Sequence, residues 1–404
     1  MMFYRVRWAL LASVALSLGC AVPTLESRRD AAAPAITALQ RGSFESAGKL
    51  AAEGLAADGD NPYGRLVRAI VRAKKTQHQL AIDGMTVIGG GVASGALNQK
   101  YLRTTLGDAE AELGQIEADL GVVAEQKGLS VELCLACWDI DWNGNGRVDD
   151  RDRRLMEIEE DAEGNPIPEG DPRRRPTFRF DDGDVAWARA FVSFERAALD
   201  VVMAYDWSEA AALAARRRDR PKAIVIRLLE PDRIAQARAR LLEGLSQSDA
   251  ARRAYLAETD DDREWVPSPR QKSHPMPLPV DQALYATWEG VLGDLHRIVE
   301  SEEGIHAGDA LALLGERPRW PVHGYLDVGR MLSHPKDITL DLRDLERFDE
   351  ERDVDAIFAS VLGEYYVHEM KASPLPKRLE RMKGEVDQHR EGLEHKLRYL
   401  FWLN

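Results

Sequence analysis

Residues 141–152, D-W-N-G-N-G-R-V-D-D-R-D, place oxygen-bearing groups at the spacing that a calcium ion requires. In a twelve-residue calcium loop, positions 1, 3 and 5 supply side-chain oxygens, position 7 a backbone carbonyl, position 9 often a water-mediated contact, and position 12 a carboxylate. Gly146 stands at the sharp turn. Each ligand position holds a competent group: Asp141, Asn143, Asn145, the carbonyl of Arg147, Asp149 and Asp152. The spacing therefore predicts a calcium site.

This segment resembles the calcium loops of EF-hand proteins, especially the dockerin-like form that ends in Asp. The resemblance covers twelve of the 404 residues and their flanks, with Trp142 at the second position as a departure. With three carboxylate ligands, the expected dissociation constant is roughly 10⁻⁴ to 10⁻³ M, as in extracellular modules. The alternative is an Asp/Asn turn whose side chains bond their own backbone and bind no metal.

The N-terminus has the pattern of an export signal. Arg5 and Arg7 precede an apolar run over residues 8–18, and a small-residue site ends in Cys20. About eleven apolar residues are too few to cross ~30 Å of hydrocarbon as a helix. The arrangement resembles a bacterial lipoprotein signal. This resemblance implies an exported protein anchored through lipid on Cys20, at the outer membrane facing the periplasm or the cell surface; an ordinary cleaved signal is the alternative.

The remaining two cysteines, Cys134 and Cys137, form the pair C-L-A-C just before the predicted calcium loop. In an oxidising compartment, such a pair is expected to close a small disulfide. The alternatives are free or packed thiols and a redox or zinc site.

Charge and length limit the class of protein. The chain carries 54 basic and 68 acidic residues, a net charge of −14, which repels phosphate backbones and argues against nucleic-acid binding. No apolar segment of about 18 residues follows the signal, so the body is not expected to span a membrane. A chain of 404 residues exceeds the usual size of a single core and predicts at least two packed regions.

Helical periodicity dominates the body and predicts an all-α fold with little or no sheet. Residues 42–62 resemble the linking half of a tetratricopeptide repeat, with Pro62 ending the turn before a second helix; a generic helical hairpin is the alternative. The only strand-like run covers residues 223–229. Further helices are predicted over residues 97–126, 181–205, 231–247, 280–301, 354–371 and 377–402.

Proline-rich and glycine-rich breaks at residues 165–176 and 266–279 divide the chain, and Asp181 and Asp184 are placed to cap the helix after the first break. We therefore expect four regions. They are a signal (1–20), an N-terminal helical region (21–128), a CxxC and calcium-loop region with its linker (129–180), and a C-terminal helical region (181–404).

Two candidate sites are weaker. Residues 85–96 resemble the glycine turn of a dinucleotide-binding fold between Gly89 and Gly95, but Ser94 occupies the third glycine position and no second strand follows. His323, Asp327 and His334 lie in one short segment and suggest a metal site, although loop residues of this kind usually have no such role. No spacing in the sequence assembles a catalytic constellation.

The sequence therefore supports two hypotheses. The preferred hypothesis is a non-enzymatic, membrane-anchored helical scaffold that binds an envelope protein, with calcium as a structural clip. The second is an exported binding or catalytic protein whose site lies between the two helical regions.

Overall fold

Four helices form the N-terminal part of the fold. Their ends are set by local groups, because the Oγ1 of Thr24 accepts the N–H of Ser27 at 3.2 Å, and the Oδ1 of Asn61 accepts the N–H of Tyr63 at 3.0 Å. The helical hairpin predicted for residues 42–62 is present as the second helix, a turn and the start of the third. The four helices are α1 (Leu25–Gln40), α2 (Phe44–Ala57), α3 (Pro62–Ser94) and α4 (Gln99–Ala124).

Eight further helices follow in the part of the chain that the structure describes. The predicted cap of the first is confirmed: Asp181 and Asp184 form a capping box, each side chain accepting a backbone N–H from the other end of the turn. These helices are α5 (Asp182–Ala204), α6 (Ser208–Ala215), α7 (Pro231–Ala257), α8 (Gln282–Val299), α9 (Ala307–Leu313), α10 (Val328–Ser333), α11 (Val354–Leu362) and α12 (Leu375–Gln388).

This computed structural model describes the chain with several gaps. Statements about the structure refer to residues 23–94, 99–138, 140–141, 147–150, 152, 157–161, 165–215, 221–259, 263–271, 274, 280–313, 321–342 and 354–388. Side chains at 81–94, 214–215 and 382–388 are outside the description.

The predicted all-α fold with little or no sheet is wrong. The described residues contain three antiparallel sheets, with strand orders β1-β2, β3-β4-β7 and β5-β6-β8. The protein is therefore helix-rich with small sheets. The strands are β1 (Val131–Leu133), β2 (Phe178–Phe180), β3 (Tyr205–Asp206), β4 (Ala223–Leu228), β5 (Ile305–His306), β6 (Tyr325–Leu326), β7 (Ile338–Asp341) and β8 (Tyr366–Val367).

Strand length explains the error. Apart from β4, each strand has two to four residues, too few to show an alternating pattern. The strand-like run at 223–229 is a strand, β4, and it pairs with β7 through Val225 and Thr339. The single helix expected over 354–371 ends early, because Gly363 has a φ of +55° and the chain then enters β8.

The largest core joins the N-terminal helices to the start of α5. Buried side chains from α1 to α4 pack with Leu133, Phe178, Val192 and Trp265 in one cluster. A second core packs Ala204 and Ile226 against residues of α7, α8 and α10. Among the described helices, none combines the length and apolar character needed to cross a bilayer.

Candidate functional site

A cavity of about 210 Å³ lies among α3, α4 and α5. It exceeds the ~150 Å³ apolar cavity that suffices to hold benzene. Strand and loop residues from β1, β2 and the following segments complete its wall. Most of the lining is apolar: Leu66, Ala69, Ile70, Ala73, Leu80, Leu113, Ile116, Leu120, Leu129, Leu133, Leu135, Trp138, Phe180, Val185, Trp187, Ala188, Phe191, Val192 and Trp265. A cavity of this size and lining is the kind of site that takes a small apolar ligand.

Two charged side chains enter this apolar lining from facing helices. Lys74 on α3 and Glu195 on α5 both line the cavity. Burial lowers the pKa of Lys74 to about 8, and the nearby charge of Glu195 opposes that shift. Burial likewise raises the pKa of Glu195 to about 7, opposed by Lys74. The opposite charge of each group therefore favours the charged form of the other inside the protein.

The N-terminus of α5 brings two more acids to the cavity wall. Asp181 and Asp184 line it, and the Oδ1 of Asp184 accepts a hydrogen bond from the buried hydroxyl of Tyr255 at 2.8 Å. Burial, with the charge of Asp181, raises the pKa of Asp184 to about 8. Gly183 is required here, because a Cβ at this position would lie 2.8 Å from the Tyr255 ring. Close packing of α5 on α7 therefore sets the geometry of this end of the cavity.

A group that could hold a metal ion adjoins the same helix end. One oxygen from each of Asp181, Glu258 and Glu264 lies within 4.8 Å of the others. Glu258 directly follows α7, and Glu264 is joined to Arg179 by a parallel β-bridge. Burial, together with the charges of Asp181 and Asp184, raises the pKa of Glu264 to about 8. Within the described residues, this is the group of carboxylates with metal-ligand spacing.

The predicted calcium loop is described only in part. Asn143 and Asn145 lie outside the described residues. Asp152 is 2% exposed, and its Oδ2 accepts the N–H of Asp149 at 2.9 Å, as a side chain in the first turn of a helix does. Arg147 is exposed, with its Nε 4.0 Å from Asp149. Asp141 lies in the described part, but calcium binding by this loop stays a prediction.

The two cysteines before the loop are bonded to each other. The Cys134 and Cys137 sulfurs are 1.98 Å apart, and the pair closes a turn that follows β1. Neighbouring Leu135 and Trp138 line the cavity, so this turn forms part of its wall. Cys20 and the rest of the predicted lipoprotein signal lie outside the described residues.

The two weaker candidate sites are not assembled as binding sites. Residues 85–94 continue α3, whereas a dinucleotide turn needs a strand before its glycines. Asp327 accepts the N–H of Arg330 at 2.9 Å as the cap of α10. His334 contacts the Oγ of Ser333 through Nδ1 at 3.0 Å, and exposed His323 donates its backbone N–H to Asp355 at 2.9 Å.

Reasoning from sequence missed most of the groups around the cavity. Asp181 and Asp184 were recognised only as helix caps, and Lys74, Glu195 and Glu264 were not singled out. One signal was present: Lys74 and Glu195 both interrupt segments that otherwise carry apolar residues at helical spacing.

Comparison of the chain with protein-family models, with characterised proteins and with solved structures found no match. Function is therefore inferred from the site itself.

Proposed function

We propose that this protein is an exported binding protein whose cavity holds a small ligand with an apolar body and an amino or hydroxyl group. The apolar cavity of about 210 Å³ is the observation that carries the proposal. It lies between the N-terminal helices and α5, the place that the second sequence hypothesis requires. Removing an apolar ligand from water into such a cavity contributes roughly 25 cal/mol per Å² of buried apolar surface.

The charged groups determine which polar end the ligand carries. Asp181, Asp184 and Glu195 line the cavity together with a single base, Lys74. An amino group or hydroxyl can donate to these carboxyl groups. A ligand carboxylate loses its hydration and adds one more acid to a group whose pKa values burial already raises. We therefore assign the cavity to amines and alcohols in preference to fatty acids.

The scaffold hypothesis has less specific support. Contiguous apolar surface would mark a partner site. In the described part of the chain, the exposed large apolar side chains are Tyr101, Leu229 and Leu284, which belong to separate elements or their edges. Export and lipid attachment at Cys20, and weak calcium binding by residues 141–152, remain part of the proposal on sequence grounds alone.

Displacement of a fluorescent apolar probe tests the proposal. N-Phenyl-1-naphthylamine is titrated into the purified protein and then displaced with decylamine, decanol or decanoate. We expect saturable enhancement of probe fluorescence. Decylamine and decanol should displace the probe at concentrations about tenfold lower than decanoate, the ratio that about 1.4 kcal/mol of unfavourable charge interaction gives.

A pair of variants on one helix separates the cavity from the protein surface. Ala188 lines the cavity, whereas Ala198 on the same helix is exposed. Ala188→Phe fills the space and should weaken probe binding at least tenfold, while Ala198→Phe should leave it unchanged. Equal probe binding by both variants and the wild type would contradict the proposal, since it would place the probe elsewhere.

A further inference from the structure

We propose that Asp181, Glu258 and Glu264 together bind one divalent cation of the size of Ca²⁺. Their oxygens lie within 4.8 Å of one another, so a single ion can contact all three. The site uses residues outside the predicted loop at 141–152. Asp181 also lines the cavity, so the two sites share one carboxylate, but the cation contacts do not require a ligand in the cavity.

Glu264 provides a second observation beside the clustering of acids. Its side chain is only 1% exposed, and within the described part of the chain neither carboxylate oxygen accepts a hydrogen bond. The guanidinium of Arg179 lies nearby, but its Nη1 is 3.9 Å from Oε1, beyond hydrogen-bonding distance. A buried carboxylate in this state is strongly unfavourable unless a cation or a proton neutralises it. A shared cation supplies the contacts that both oxygens lack.

The donor set and its burial select the kind of cation. Three carboxylates offer hard oxygen ligands, which suit Ca²⁺, Mg²⁺ or Mn²⁺ better than metals that prefer nitrogen or sulfur. Oxygens on opposite sides of Ca²⁺ are about 4.6 to 5.2 Å apart, given its usual bond lengths. Mg²⁺ usually retains several waters, and the burial of Asp181 and Glu264 leaves little room for them. Ca²⁺ is therefore the cation that we assign.

The cation would connect three separate parts of the fold. Asp181 caps α5, Glu258 ends α7, and Glu264 lies beside β2 through its bridge to Arg179. Tyr255, in the last turn of α7, already contacts Asp184 at the start of α5. Calcium at this point would fix the same junction between the two helices and thereby the end of the cavity wall.

Isothermal titration of the full chain, purified in detergent and freed of metal with a chelator, tests the site with Ca²⁺ as the probe. We expect a saturable binding event, distinct from weaker binding by residues 141–152, that Glu264→Gln weakens by more than about tenfold, because the number of charged ligands sets calcium affinity. Asp152→Asn, in the predicted loop, should leave this event unchanged. Mg²⁺ at equal concentration should bind at least tenfold more weakly.

Two further variants distinguish the loss of a calcium ligand from the loss of nearby charge. Asp182→Asn removes one charge from the same helix end without removing a proposed ligand, and should retain the binding event. Glu258→Gln removes a half-buried ligand and should weaken it, with circular dichroism checking the fold of each variant. The proposal is overturned if the wild type shows no calcium binding, if folded Glu264→Gln and Glu258→Gln bind like the wild type, or if Mg²⁺ binds equally well.

Discussion

Asp200 and Glu264 are both almost completely buried, but their surroundings differ. Asp200 accepts hydrogen bonds from the guanidinium groups of Arg233 and Arg240, one on each carboxylate oxygen. Among the residues that the structure describes, none donates a hydrogen bond to Glu264, and the guanidinium Nη1 of Arg179 is 3.9 Å from its Oε1. Around Asp200 the protein neutralises the buried charge with its own side chains. Around Glu264 the protein instead places two further carboxylates, those of Asp181 and Glu258.

Other buried acids follow the pattern of Asp200. Asp119 accepts from Arg65 at 2.9 Å and from Arg68 at 2.8 Å. Asp294 accepts from Arg378 at 2.9 Å. The fold is therefore well able to place arginines against buried acids. In the part of the chain that the structure describes, Glu264 lacks such arginine hydrogen bonds, as is expected if a bound ion supplies the neutralising charge.

The largest expected effect comes from breaking a paired site. Arg240→Ala leaves Asp200 buried with one of its two arginines, and should lower the free energy of unfolding by about 3 kcal/mol, because the buried charge is then only partly compensated. Urea denaturation measures the change. Arg227, 67% exposed and 3.9 Å from Glu209, is the matched control, and its removal should cost at most about 0.5 kcal/mol. Equal losses in the two variants would show that burial does not govern these ion pairs.

A smaller change in stability is expected when Glu264 itself is substituted. In chelator, Glu264→Gln should preserve the stability of the protein or raise it by about 1 kcal/mol, because it removes a buried carboxyl group whose charged form has no hydrogen-bond donor among the described residues. Glu303 is its matched counterpart: it is equally buried but paired with Lys371 at 2.7 Å and Arg297 at 2.9 Å. Glu303→Gln should therefore lower the free energy of unfolding by about 2 kcal/mol.

Calcium should make the wild type more stable to unfolding than Glu264→Gln, the reverse of the order expected in chelator. At a concentration of one hundred times the dissociation constant, bound calcium stabilises the wild type by about 2.7 kcal/mol by linkage. The variant, whose affinity is at least tenfold weaker, should gain at most about 1.4 kcal/mol. Urea denaturation with calcium and with chelator measures both quantities. A Glu264→Gln variant that loses stability in chelator would indicate that Glu264 is satisfied by protein groups alone.

Local rules predicted the helix end but not the site around it. The D-D-G-D sequence at residues 181–184 predicts a capped helix, and α5 begins at Asp182 with both capping hydrogen bonds. Glu258 and Glu264 are more than 70 residues further along the chain, and only the packing of α5 against α7 brings them to Asp181. No spacing along the sequence encodes that contact. For the same reason, short strands such as β3 and β8 escaped prediction.

The cavity illustrates the same limit. The apolar stripes of α3, α4 and α5 are evident in the sequence. The positions of α4 and α5 and the start of α3 agree with the prediction, but α3 continues to Ser94, well beyond the predicted helix at 63–75. Periodicity indicates which face of a helix is buried, but not whether the facing side chains fill the space between the helices. The cavity and the charged pair inside it therefore became visible only in three dimensions.

Glu195 is intermediate between Asp200 and Glu264, because a single lysine, Lys74, offsets its buried charge. Its pKa rises from 4.5 to about 7, chiefly through burial, so the folded protein binds an extra proton between these values. The free energy of unfolding should therefore fall by about 2 kcal/mol as the pH rises from 5 to 7, after allowance for partial exposure. Lys74 acts oppositely. Its pKa falls from 10.5 to about 8, so stability recovers as the pH rises from 8 towards 10.

Differences between variants and wild type isolate this pair from other titrating groups. Urea denaturation at a series of pH values should show that Glu195→Gln lacks the fall between pH 5 and 7, whereas Lys74→Met lacks the recovery above pH 8. Other acids with raised pKa values, including Asp184, cancel in the difference curves because both proteins contain them. A flat difference curve for Glu195→Gln would mean that water reaches this carboxylate. The cavity would then be wetter, and less suited to an apolar ligand, than its lining implies.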